Sequence, residues 1–115
     1  MQSWSSDQGK IWGAFTPTTL INPNSGTDAV TLKNGLQLIV YNPDIPGKEW
    51  FNGRSKLSVA ISTDGHVWKD IAVLENGTVE EYSYPAVIQT NDGIVHISYT
   101  YDRKNIKYIA LKEVR

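Results

Sequence analysis

Apolar and polar residues alternate with a period of two along most of this chain, and helical periodicity is almost absent. Leu36, Leu38 and Val40 share one face of a predicted strand, with Gln37, Ile39 and Tyr41 on the other. Leu57, Val59 and Ile61 alternate with Ser58, Ala60 and Ser62. Val95, Ile97, Tyr99 and Tyr101 alternate with Ile94, His96, Ser98 and Thr100, and Ile106, Tyr108 and Ala110 with Lys107, Ile109 and Leu111. Lys33-Asn34-Gly35 and Asn91-Asp92-Gly93 read as hairpin turns, because Gly and Asn tolerate positive φ. The loop Asn42–Gly47 holds two prolines that cannot continue a ladder.

Grouped in order, these strands predict an all-β chain of antiparallel four-stranded meanders. Residues 28–33, 36–42, 55–62 and 68–74 form one meander, and residues 82–89, 93–101 and 105–112 supply three strands of the next. Residues 1–16 read as a strand end, a turn and a last strand of an earlier unit. The expected organisation is the end of one blade in 1–20, a complete blade in 21–78 and most of another in 79–115.

One turn pattern occurs twice. Ser5-Ser6-Asp7-Gln8-Gly9-Lys10-Ile11-Trp12 and Ser62-Thr63-Asp64-Gly65-His66-Val67-Trp68 both read Ser-x-Asp followed by Gly-x-x-Trp. An Asp carboxylate can accept backbone N–H groups across a tight turn, Ser can bond within it and Gly supplies positive φ. Ser5, Asp7, Gly9, Trp12, Ser62, Asp64, Gly65 and Trp68 are therefore assigned to scaffold, with each Trp expected to pack between strands. The second copy has one residue fewer between Asp and Gly, so its turn is expected to be tighter.

Composition narrows the functional classes. A formal charge of −1 provides no electrostatic footprint for nucleic acid or an anionic membrane. The chain has no Cys, which excludes disulfides and thiolate metal sites. No apolar run is long enough to span a bilayer, and the opening residues are not expected to act as a signal peptide. Gln2-Ser3-Trp4 directly after Met1 reads like mid-domain sequence, so a start inside a larger protein is expected. Four Trp and six Tyr either fill a β-core or stack on sugar faces. No metal or other cofactor is expected. His66 in the second turn and His96 in a strand lack partners in sequence for a metal or triad site and are expected to be structural.

The repeated turn resembles the Asp-box of sialidases and related β-propellers. With Gly53-Arg54-Ser55-Lys56-Leu57 and Glu81-Tyr82-Ser83-Tyr84-Pro85, the chain is similar to the C-terminal third of a BNR/Asp-box sialidase. The resemblance implies about two blades of a six-bladed propeller. It implies a parent enzyme that cleaves terminal sialic acid by a retaining route through a Tyr nucleophile. Arg54 matches the third Arg of a carboxylate-binding triad, and a planar guanidinium suits a fixed carboxylate. Tyr82 matches the nucleophile, since a neutral phenol avoids repulsion by the carboxylate on the anomeric carbon. Tyr84, expected on the same strand face as Tyr82, is the other nucleophile candidate or a sugar-stacking ring. Glu80 is either an activating base or a solvated turn carboxylate, and Asp28 either a substrate contact or a loop cap. Arg54 itself could instead be an ordinary strand-start cation.

The remaining triad arginines, the acid/base Asp and the activating Glu would lie on other blades, so the chain alone is expected to be inactive. The implied partners are sialylated or other acidic glycans, and the implied parent is secreted, periplasmic or on the cell surface. A different class remains open: a non-catalytic Asp-box module that binds glycans or protein. Open strand edges also allow a homo-oligomer, three copies giving six blades. Arg103-Lys104-Asn105 reads as a strand-connecting turn, and Asn76-Gly77-Thr78 fits a glycosylation sequon.

Overall fold

A computed structural model describes residues 1–45, 47–49 and 52–112. Pro46 of the proline loop and residues 113–115 of the last expected blade lie outside them. The described residues contain no helix. Seven strands run β1 (Asp28–Thr31), β2 (Gln37–Tyr41), β3 (Lys56–Ser62), β4 (Lys69–Asn76), β5 (Tyr82–Gln89), β6 (Val95–Tyr101) and β7 (Asn105–Leu111). They form two antiparallel sheets in sequential order, β1-β2-β3-β4 and β5-β6-β7, which are partial propeller blades.

The alternating pattern selects the buried faces. Leu38, Val40, Leu57 and Val59 of the first sheet meet Val87, Val95, Ile97 and Tyr99 of the second in one core. Each of these side chains leaves water through a single sheet face, which is what a period of two encodes. The opposite face of the second sheet presents Ile88, Ile106 and Tyr108 to solvent. The radius of gyration is 14.6 Å, against roughly 13 Å for a compact chain of this length. The 41 × 37 × 23 Å envelope is accordingly a flattened wedge.

Two expectations change. Residues 1–16 form no strand; a single bridge joins Gln2 to Thr16. Gly13 N–H to Trp4 C=O at 2.8 Å adds one more rung, but no third segment extends the ladder, and a two-stranded ribbon is marginal alone. β5 also departs from simple alternation. The register slips between Ser83 and Ala86, and Tyr84 has φ 52°. This bulge reverses the facing: Tyr82 is buried and Tyr84 is 63 % exposed. Tyr82 and Tyr84 therefore do not share a face, because an inserted residue resets the side-chain alternation.

The antiparallel order sorts the connections onto two ends. The β1–β2 turn and the Asp-box between β3 and β4 lie at one end. The β2–β3 loop, the β4–β5 connection and the β6–β7 turn meet at the other.

Candidate functional site

At the box end, chemistry is spent on the turn itself. Asp64 Oδ1 accepts N–H from His66 at 2.8 Å and Val67 at 3.1 Å, while Ser62 Oγ donates to it at 3.0 Å and accepts Gly65 N–H at 2.8 Å. Asp7 repeats this one residue further out, accepting Lys10 N–H at 3.1 Å and Ile11 N–H at 2.9 Å, with Ser5 Oγ bonding to it and to Gly9 N–H. The second turn is thus the tighter by one residue. The His66 and Val67 N–H groups, then Ser62, hold the Asp64 carboxyl down to about 2. Ile11 N–H and then Ser5 lower Asp7 in the same direction.

Gly65 has φ 78°, and a Cβ there would meet the Trp4 ring at 2.8 Å. Trp4 stacks on His66 with centroids 4.7 Å apart, and the Gln2 amide reaches His66 Nδ1 at 3.2 Å. Trp12 does not pack between strands: it is 60 % exposed and its Nε1–H folds back to Gly9 C=O at 3.0 Å. Among the described residues, residues 1–16 form no strand beside which the ring could pack.

The other end brings together residues distant in sequence. Gly53, at φ 85°, abuts Pro23 so closely that a Cβ would lie 2.6 Å from it. This left-handed turn delivers Arg54 to the start of β3. The Arg54 side chain is only 9 % exposed, its Nη1 lies 3.6 Å from Glu81 Oε1, and its guanidinium sits 5.7 Å over the Tyr84 ring. Glu81 Oε2 also accepts a hydrogen bond from Arg103 Nε. The β6–β7 turn clamps onto the same residue: Asp102 N–H donates to Glu81 C=O at 2.6 Å and Glu81 N–H to Asp102 Oδ1 at 3.2 Å. Asp102 and Arg103 take φ 50° and 55°. With Tyr84, three non-glycine residues hold left-handed backbone around Arg54, a conformation that costs on the order of 1–3 kcal/mol each.

Tyr82 joins the blades through its backbone. Its N–H donates to Arg54 C=O at 2.7 Å and its C=O accepts Asn42 Nδ2 at 2.8 Å. Its ring packs against Tyr101 at 5.1 Å, and burial, then Tyr101 and Glu80, push its phenol up to about 12. Glu80 behaves as a turn carboxylate: it accepts Thr78 N–H at 2.8 Å and Val79 N–H at 3.1 Å, and its own backbone N–H, then those of Thr78 and Val79, lower its carboxyl. Asp28 Oδ2 accepts Val87 N–H at 2.9 Å just past the β5 bulge, stitching β1 to β5.

Arg54, Tyr84 and the Tyr82 backbone therefore converge, whereas Asp28 and Glu80 are engaged by main chain. Sequence reasoning missed Glu81, Asn42 and Arg103. Asn42, fully buried, also donates to Lys56 C=O at 2.6 Å. An amide standing directly before Pro43 at a strand end was the only signal available for it. Glu81, adjacent to a strand and flanked by Glu80, gave none.

A further link lies between the sheets: Glu75 Oε2 accepts Tyr99 O–H at 2.5 Å and Lys107 Nζ–H at 2.9 Å. A cavity of about 460 Å3 lies on the outer face of the first sheet, among Gln2, Asn22, Ser25, Tyr41 and Trp68. Arg54, Tyr82 and Tyr84 do not line it; they stand on the rim where the β2–β3, β4–β5 and β6–β7 connections meet, with Arg54 and Tyr82 buried and Tyr84 exposed. His96, on the outer face of the second sheet, bonds Thr90 and Tyr108. No cluster of His, Asp or Glu among the described residues could hold a metal ion.

A family model for a BNR repeat-like domain matches residues 1–97. No curated protein and no solved structure matches the chain.

Proposed function

The chain belongs to the BNR repeat-like family, and from that premise we propose that its Arg54 rim forms one wall of an acidic-sugar site in a sialidase-like glycoside hydrolase. The observation that carries the reading is the placement of Arg54. A guanidinium oriented by a buried Glu81 beneath the exposed Tyr84 ring is a preorganised ligand for a carboxylated sugar. Tyr84 supplies an apolar face for the ring, and its strained backbone is the kind found at functional positions.

In this reading the site is completed by other blades, which supply the acid/base and the remaining arginines. The phenol gives its proton to an activating carboxylate as it attacks the anomeric carbon, and the aglycone leaves with a proton from the acid. That acid residue then takes a proton from water, which attacks the same carbon, and the phenolate leaves and recovers its proton from the activating group. Tyr82 takes the nucleophile's place by resemblance, while Tyr84 is the phenol that faces solvent. Turnover of a fluorogenic sialoside by the completed propeller separates them: loss in Tyr82→Phe with activity kept in Tyr84→Phe assigns the nucleophile to Tyr82. Unchanged turnover in Tyr82→Phe removes it from that role.

A second reading is favoured by the burial of Tyr82 and by a phenol held near 12. In it the rim binds acidic glycan without cleaving it. Binding of N-acetylneuraminic acid to the isolated chain, followed by NMR, is expected in both readings. Equal binding of neutral sugars, unaffected by Arg54→Lys, would remove the acidic-sugar site from both.

A further inference from the structure

β2 stops at Tyr41, and the next two residues show why. The β2–β3 register pairs Tyr41 with Ser58, and carried on by two residues it sets Pro43 opposite Lys56. Proline has no N–H to give to the Lys56 C=O. Asn42 supplies that donor from its side chain, Nδ2 donating to Lys56 C=O at 2.6 Å. The second Nδ2 hydrogen goes to Tyr82 C=O at 2.8 Å. Asn42 Oδ1 accepts Ser25 Oγ–H at 2.6 Å, and Asn22 Oδ1 steadies Ser25 by accepting its N–H at 3.0 Å. The amide is fully buried, and both of its donors and its oxygen are in use.

One side chain thus ties together segments that no common ladder joins. The carbonyls of Arg54, Ser55 and Lys56 are taken in succession by Tyr82 N–H at 2.7 Å, Gly77 N–H at 2.7 Å and Asn42 Nδ2. Tyr82 is held on both sides, its N–H by Arg54 and its C=O by Asn42. β3 and β5 belong to different sheets, so regular strand pairing does not fix where one starts relative to the other.

We infer that Asn42 is the positioning residue of the rim: its amide sets the start of β3 against the start of β5, and with them Arg54 against Tyr84. This rests on the reading of Arg54 as a carboxylate ligand. An apolar side chain could fill the same space without the cost of burying an amide. What the amide adds is direction, because its two donors fix two carbonyls from different sheets at once. The Arg54 guanidinium lies over the Tyr84 ring, and two groups that share one ligand need such a support, since a site held about 1 Å too loosely fails to bind.

The test titrates the whole chain with N-acetylneuraminic acid and follows amide hydrogen exchange at Tyr82. Asn42→Ala is expected to weaken binding of the acid roughly ten-fold, the scale of one misaligned charge-assisted hydrogen bond. It should also speed exchange of the Tyr82 N–H more than that of the Ile97 N–H in the core. Ser25→Ala removes only the hydroxyl that orients the amide, and should shift both readouts the same way by less. Val95→Ala is the control: it opens a cavity in the core and should lower stability while leaving affinity for the acid unchanged. Where Asn42→Ala does not fold, Ser25→Ala decides alone. Wild-type affinity in the deciding variant, with binding still weakened in Arg54→Lys, overturns this inference and leaves the Arg54 site standing. Affinity that falls in Val95→Ala as far as in that variant overturns it as well, since stability alone would then govern binding. A wild-type chain that does not bind the acid, or that binds it unaffected by Arg54→Lys, overturns both.

Discussion

The two ends of the blades use the same residue types in opposite ways. At the box end, Asp64 and Asp7 are held through Oδ1 by N–H groups no more than four residues away. At the rim, Glu81 is held by Arg54 and Arg103, each more than twenty residues distant in sequence. The box closes on itself through Oδ1 of its Asp. The rim is assembled only when two blades meet, contains three strained non-glycine residues and leaves an aromatic ring and an arginine open to solvent. The box is closed by local contacts and the rim by contacts distant in sequence.

The largest change should come from Glu81→Ala. It leaves the Arg54 guanidinium buried without its carboxylate and should cost about 3–5 kcal/mol, read from the midpoint of urea unfolding. A loss below 1 kcal/mol would show that the rim is no more coupled than a box. Glu75→Ala should follow. It removes the charged acceptor of the buried Tyr99 hydroxyl and the partner of Lys107, at a cost of about 1.5–3 kcal/mol by the same measurement.

Acid should discriminate the ends next. The Asp64 carboxyl is depressed to about 2 in the fold, below its unfolded value near ~3.9. Its contribution is therefore complete above about pH 4 and is lost as pH falls toward about 2. Asp64→Ala should lower the melting temperature at pH 7 and flatten its fall over that acidic window. An undiminished acid transition in the variant would place the titrating groups at the rim instead. The smallest effect is expected from Tyr84→Gly, where relief of positive φ offsets the lost ring contact with Arg54. Its stability should stay within about 1 kcal/mol of wild type while binding of an acidic sugar disappears. Binding that survives would remove Tyr84 from the site.

The legible part of the molecule was the part with short range. Period-two runs located the strands of both sheets, and the two Ser-x-Asp/Gly-x-x-Trp copies marked their own turns. Tyr84 was misplaced because a bulge is decided by what the backbone meets: Asp28 takes the Val87 N–H just beyond it. Trp12 was misplaced because its burial needs a strand beside it, which local pattern cannot supply. Glu81 was invisible for the same reason, since a carboxylate's value depends on which guanidiniums the fold brings to it.

Sequence alone therefore determined the β-class, the strand order and the closed chemistry of the boxes, because each depends on residues a few positions apart. Only the tertiary structure decided which of two neighbouring tyrosines faces solvent, which carboxylate orients Arg54 and that Arg103 stands beside it. Those facts follow from the packing of one sheet on the other and from a one-residue slip in β5, and alternation along a strand encodes neither.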